Sequence, residues 1–193
     1  MDNFLQQKQD ILSKNDKSSI GGWDKKIVRL CGKINKLPDY YTNSSCSGRA
    51  ALIIDKDKKQ EGLFVKMYHD ILNFEKLKKD LNELLKLKKT IRFKQEACIL
   101  HVSCKTLLDA QKLYDKAKLA GWKRSGIIAT GRRFIVELNS TEKLEFPIIA
   151  SGKILVDDNF LKIIVKKSNE NLKKSWEKIE RLEKSLNNSY NLA

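Results

Sequence analysis

Residues 40–53, "YYTNSSCSGRAALI", set two tyrosines and a run of small hydroxyl and amide residues, with Cys46, Gly48 and Arg49, ahead of a short apolar segment. Aromatic and β-branched residues on either side of a Ser/Gly break read as two extended pieces within Tyr40 to Ile54. Downstream, "DKDKKQEG" (55–62) reads as a hairpin loop and "LFVKMY" (63–68) as the returning strand, which makes an antiparallel start. The Ser/Gly break itself has three readings. It is a serine-rich hairpin turn; or its accessible N–H groups cradle an anion or carboxylate, with Arg49 as a fixed positive fork; or Cys46 is a nucleophile activated by His69 or His101, as in a cysteine-dependent hydrolase, although no local thiol-enzyme signature accompanies it.

Outward from this stretch, apolar spacing assigns the remaining elements. Phe4, Leu5, Ile11 and Leu12 predict a short opening helix that ends before "KNDKSSIGG". Trp23, Ile27, Leu30, Ile34 and Leu37 follow one helix face, and Pro38 stops it. Ile71, Phe74, Leu77, Leu81, Leu84, Leu85 and Leu87 mark another amphipathic helix, after which "TIRFKQEACILHVSC" (90–104) reads as one long strand or two consecutive ones. Leu107, Ala110, Leu113, Tyr114 and Ala117 predict a third amphipathic helix. Thr106 and Asp109 are spaced as its capping box, and Gly121 stands where a left-handed C-terminal residue belongs. "KRSGIIATGRRFIVEL" (123–138) predicts two strands around "ATG", and a long helix closes the chain from about Asp157 to Leu186.

The length of 193 residues predicts one domain over residues 1–193, and 41% hydrophobic content is enough for a real core. A formal charge of +15 draws the chain toward polyanions, with nucleic acid the leading partner class; a lysine-rich solvated surface is the plainer explanation. The densest basic stretch runs from Lys76 to Lys94 and includes Lys78, Lys79, Lys86, Lys88, Lys89 and Arg92. Cys31, Cys46, Cys98 and Cys104 form no C-x-x-C pair, and no Cys/His spacing suggests a structural metal. No apolar run approaches the ~18 residues of a spanning helix, and the N-terminus does not read as a signal peptide, so the expectation is a cytoplasmic protein with reduced thiols and no membrane partner. A Rossmann-type glycine-rich turn between an early strand and a helix is absent: Gly21-Gly22 follows a polar loop, and Gly126 and Gly131 lie between predicted strands. The expected fold is therefore α+β, a mixed β-sheet with flanking helices and a long C-terminal helix.

"YTNSSCSGRAALI" resembles the TSSCSGR block of the tRNA wybutosine-synthesizing methyltransferase family, the third enzyme of that pathway in archaea and eukaryotes. The resemblance continues in order through "DKSSIGGWDKKI" (16–27), "YHD" (68–70), "EACILHVSC" (96–104), "DAQKLYDKAKLAGWKRSGI" (109–127), "FIVEL" (134–138) and "EKLEFPI" (142–148), nearly the whole chain. Asn43, and Met67 with Tyr68 ahead of His69, depart from the small residues expected there.

The resemblance implies methyl transfer from S-adenosylmethionine to a ring nitrogen, N4, of the tricyclic wyosine-type base at position 37 of phenylalanine tRNA. The alternative is a non-catalytic RNA-binding protein, which charge alone would support. Because the accepting nitrogen carries a proton, a base within reach would help, and Asp24, His69 and His101 are candidates since all lie in matched blocks. Asp24 has the plainer role of capping or salt-bridging its own helix, and His101 that of a hydrogen-bonded structural histidine. Arg49 is expected to hold the methionine carboxylate or a tRNA phosphate, with Ser45, Ser47 and Ser125 supplying hydrogen bonds to the cofactor. Lys86, Lys88, Lys89 and Arg92 are expected on the RNA, and Tyr40, Tyr41 and Trp122 are available to stack on the base, Tyr41 foremost; core burial is the competing fate of each.

Overall fold

Three- and four-residue apolar spacing and strict alternation sort the chain into the helices and strands of a computed structural model that describes residues 3–14, 24–56 and 62–187. Trp23, most of the loop before it and the tip of the 55–62 loop lie outside the described residues. Among those described, the elements run α1 (Asn3–Leu12), α2 (Val28–Lys36), β1 (Tyr40–Cys46), β2 (Arg49–Ile54), β3 (Phe64–Tyr68), α3 (Phe74–Leu84) with a 3-10 turn at Leu85–Leu87, β4 (Ile91–Glu96) and β5 (Ile99–Cys104). Then come α4 (Leu107–Leu119), β6 (Gly126–Ala129), β7 (Phe134–Asn139), β8 (Leu144–Ala150), β9 (Lys153–Ile154) and α5 (Asp158–Asn187).

The described residues group into two compact units, and neither is a contiguous segment. The first comprises residues 1–47, 98–141 and 175–193, the second residues 48–97 and 142–174. The first holds a four-stranded sheet in the order β1-β5-β7-β6, the second a five-stranded sheet in the order β3-β2-β4-β8-β9. Every strand pairing is antiparallel, so the α+β class stands while the expected mixed sheet is replaced by two antiparallel ones.

The Ser/Gly break is consequently not a hairpin turn. β1 pairs with β5 and β2 with β3 and β4, so the break carries the chain out of one sheet and into the other. Gly48 sits at the crossing with φ 99°, a left-handed conformation that favours a residue without Cβ. "TIRFKQEACILHVSC" behaves likewise: β4 and β5 belong to different sheets, with Ala97 and Cys98 between them.

In the first unit, α2, α4 and the second half of α5 supply the apolar cluster on one face of the sheet: Ile27, Leu30, Ile34, Leu113, Ala117, Ile179 and Leu182 pack with Leu100, Val102, Val136 and Leu138. Thr106 caps α4 in a reciprocal box with Asp109, satisfying N–H groups that the first turn leaves without partners. Gly121 (φ 98°) ends it in a Schellman motif, the Trp122 N–H donating to Ala117 O (2.9 Å) and the Gly121 N–H to Lys118 O (3.0 Å). In the second unit, Leu77, Leu81 and Leu84 of α3 and Leu161 and Ile164 of α5 pack with Leu52, Ile91, Phe93 and Ile149. β8 breaks the sequence rule that proline demotes a strand: Pro147 faces Arg92 beside an irregularity in the β4 pairing, and β9 reaches only Ile149 and Ala150, so no partner on that side needs the missing N–H. Among the described residues no helix is long and apolar enough to cross a membrane.

Candidate functional site

Alternation divides the four-stranded sheet into an apolar face and a polar one. Leu100 and Val102 of β5 and Val136 and Leu138 of β7 point into the cluster, so His101, Glu137 and Asn139 point to the opposite face. A register shift between Thr42 and Ser44 brings Ser44 of β1 to that face, directly across from His101. The result is a hydrogen-bonded row across three strands. Ser44 Oγ lies 2.9 Å from His101 Nδ1, and His101 Nε2 lies 3.0 Å from Glu137 Oε2. Ser44 is exposed, while His101 and Glu137 are partly covered. Hydroxyl, imidazole and carboxylate in this order are an arrangement able to pass a proton from Ser44 to Nδ1, with Glu137 hydrogen-bonded to Nε2. Two residues beyond Glu137 on the same face, the Asn139 side-chain oxygen is buried without a hydrogen-bond partner among the described residues.

Asp24 is placed differently. Its Oδ2 accepts the Ser47 N–H (3.0 Å) and its Oδ1 the Lys26 N–H (3.1 Å), while its carbonyl oxygen receives Ile27 and Val28 at the start of α2. Asp24 thus fastens the Ser/Gly break to the helix start, and the Ser47 N–H is taken by this carboxylate. Ser47 Oγ is buried without a hydrogen-bond partner among the described residues. Ser45 faces Cys31, its partner on the core side, and burial pushes the Cys31 thiol up to about 12. Ser125 Oγ donates to Trp122 O (2.7 Å) and accepts the Asn139 N–H (3.2 Å), which ties the start of β6 to the end of β7. Trp122 is fully buried and donates its indole N–H to Lys178 O (3.1 Å), so core burial wins there; Tyr40 donates its hydroxyl to Asp109 O (3.2 Å). Tyr41 is fully buried against Phe4, with ring centroids 5.2 Å apart.

The remaining sequence candidates belong to the second unit. Arg49 Nε pairs with Glu96 Oε2 at 2.7 Å, its Nη1 meets Met67 Sδ at 3.8 Å, and its guanidinium lies over the Phe64 ring. Burial alone would raise the Glu96 carboxyl, but the Arg49 and Lys94 charges outweigh it and hold the group below the usual carboxylate range. Arg92 is committed to Asp55 (3.0 Å) and Glu145 (2.6 Å), whereas Lys86, Lys88 and Lys89 are exposed around the end of α3. His69 is half-buried just past β3, next to Tyr68, whose hydroxyl donates to the buried Asp80 at 2.6 Å.

Of the expected bases, then, His101 sits in this hydrogen-bonded row, whereas Asp24 is held by backbone N–H groups. The sequence reading missed Ser44, Glu137 and Asn139. Glu137 and Asn139 were legible from alternation in "FIVELN", opposite Val136 and Leu138; Ser44 was not, because its face depends on the irregularity at Asn43. The row also bears on the thiol reading of Cys46, since both His101 ring nitrogens are engaged by Ser44 and Glu137. Cys104, like Cys31, is buried, and its thiol is pushed up to about 12, far from a nucleophilic thiolate at neutral pH.

Residues 6–188 match the family described as Methyltransferase TYW3. A relative from Thermococcus sibiricus is 34% identical over 182 residues, covering 93% of this chain and 91% of its own length. It is named tRNA(Phe) 7-((3-amino-3-carboxypropyl)-4-demethylwyosine(37)-N(4))-methyltransferase. A human relative, named tRNA wybutosine-synthesizing protein 3 homolog, is 30% identical over 190 residues, covering 92% of this chain and 70% of its own. Among solved structures, that of the PH1069 protein from Pyrococcus horikoshii is similar with a TM-score of 0.86 at 30% identity, covering 96% of this chain and 95% of that one. Fold and sequence together define a methyltransferase built without a Rossmann sheet. The chain belongs to the TYW3 methyltransferase family, as the SSCSGR, LHV and SGI blocks imply.

Proposed function

We propose that this protein transfers a methyl group from S-adenosylmethionine to N4 of the tricyclic wyosine-type base at position 37 of phenylalanine tRNA, in the cytoplasm. The observation that carries the mechanism is the Ser44–His101–Glu137 row. When bound, S-adenosylmethionine supplies an electrophilic methyl on a sulfonium. The N–H of the accepting nitrogen donates to Ser44 Oγ; as the N–C bond forms, the proton passes through Ser44 to His101 Nδ1, and Glu137 balances the charge on the ring. Loss of the methyl would leave the donor a neutral thioether, so, with the proton held on His101 beside Glu137, charge and protons would balance. The residues fit such a donor at one point in particular: the buried Asn139 oxygen, without a partner among the described residues, is an acceptor suited to an ammonium or ribose hydroxyl. Methyl transfer needs the donor and nucleophile held in line, which is a matter of positioning.

In this reading Asp24, Ser45, Ser47 and Ser125 position the strands and turns that present the relay. Exposed Lys86, Lys88 and Lys89 attract RNA phosphates, consistent with the charge of +15, and Arg49 stays with Glu96. His69 is left without a step in the transfer. The test is incubation of the protein with labelled S-adenosylmethionine and phenylalanine tRNA isolated from cells that lack this methylation. One methyl on the tricyclic nucleoside supports the reading; stable tRNA binding with no incorporation would leave a non-catalytic RNA-binding protein in its place.

A further inference from the structure

At the end of the same sheet away from the Ser/Gly break, a cleft of about 330 Å³ opens between α1 and the β6–β7 turn. This lies near the lower bound of ~300–1,000 Å³ for ligand sites. Its walls combine the rings of Phe4 and Phe134, with Tyr41 covered beneath them, and the cations Lys105, Arg132 and Arg133; no carboxylate lines it. Arg132 and Arg133 are exposed and make no ion pair or hydrogen bond with any described residue. Tyr41 is fully buried, yet its hydroxyl has no hydrogen-bond partner among the described residues. A buried hydroxyl without a partner carries a desolvation cost that a ligand atom would remove. Cys104 also lines the cleft, but as a buried, protonated thiol it suits binding and not covalent chemistry.

Aromatic rings beside paired guanidinium groups, with no opposing acid, suit one chemical class: a nucleotide with its base against the rings and its phosphates on the arginines. We propose that this cleft is a second RNA subsite, which seats one single-stranded nucleotide of the tRNA substrate and so anchors the loop whose target base reaches the relay. The inference rests on the tRNA reading given above. The narrow, mixed aromatic and cationic lining favours an unpaired nucleotide over a duplex, whose bases would have no access to the rings.

The test measures tRNA(Phe) affinity by filter binding across a salt series, with S-adenosylmethionine affinity followed separately by calorimetry. Arg132→Ala/Arg133→Ala is expected to weaken tRNA binding about tenfold and to flatten the log K against log[salt] slope by about 1.4, as two lost single-strand phosphate contacts require. Arg132→Lys/Arg133→Lys is expected to keep most of the slope, and Tyr41→Phe to weaken binding at least threefold with the slope and melting temperature unchanged. Unchanged affinity and slope in both the double alanine and the Tyr41 variants would overturn the proposal while wild-type methylation stood. So would loss of S-adenosylmethionine affinity in the double alanine variant with tRNA binding intact, which would give the cleft to the methyl donor. Failure of the wild-type protein to bind or methylate tRNA would instead bring down the reading on which the subsite rests.

Discussion

Asp24 and His101 illustrate how two residues in equally suggestive blocks part company once their partners are known. Asp24 has both carboxylate oxygens on backbone N–H groups, whereas His101 is held between a hydroxyl and a carboxylate on an open face. Asp24→Ala leaves the N–H groups of Lys26 and Ser47 without their acceptor and is expected to lower unfolding stability by ~1–3 kcal/mol, seen as a reduced urea midpoint. An alanine variant with an unchanged midpoint and no methyl transfer would return Asp24 to the role of base. Sequence reading supplied both residues, together with the plainer alternative for each, because matched blocks mark positions without saying what surrounds them. The same limit applies to Arg49. A lone arginine beside small residues suggests an anion fork, but Glu96 lies opposite it only through the β2–β4 register.

Helices were legible at the level of elements because their signals are local. The capping box at Thr106 and Asp109 and the left-handed Gly121 depend on residues within one turn, and both occur as the spacing predicts. Gly121→Ala should be destabilising by ~1 kcal/mol or more through backbone strain alone, since the position has φ 98°. The new Cβ would also meet the Lys178 side chain at 3.3 Å. Thermal denaturation checks this, and a melting temperature unchanged or raised would show that the αL cap does not constrain the end of α4. Strand identity was legible too, but strand pairing was not. Nothing in "YYTNSSCSGRAALI" or "TIRFKQEACILHVSC" says that its two strands leave for different sheets, because pairing is settled by partners from distant parts of the chain. β8 carries Pro147, which is tolerated for reasons that only its neighbours reveal.

At the scale of the whole molecule, charge and family blocks pointed to RNA and methyl transfer, whereas the proposed mechanism places the chemistry on one face of one sheet assembled from residues 44, 101 and 137. General acid–base help of this kind is worth ~10²–10⁴-fold in rate. The direct measurement is therefore the single-turnover rate of methyl transfer to phenylalanine tRNA by the wild-type protein and by His101→Asn, with the affinities of both variants for S-adenosylmethionine and tRNA determined alongside. The account predicts a rate at least ~100-fold lower in the variant, with both affinities and the melting temperature essentially unchanged. An equal rate in the two proteins would contradict it and remove the relay from the mechanism.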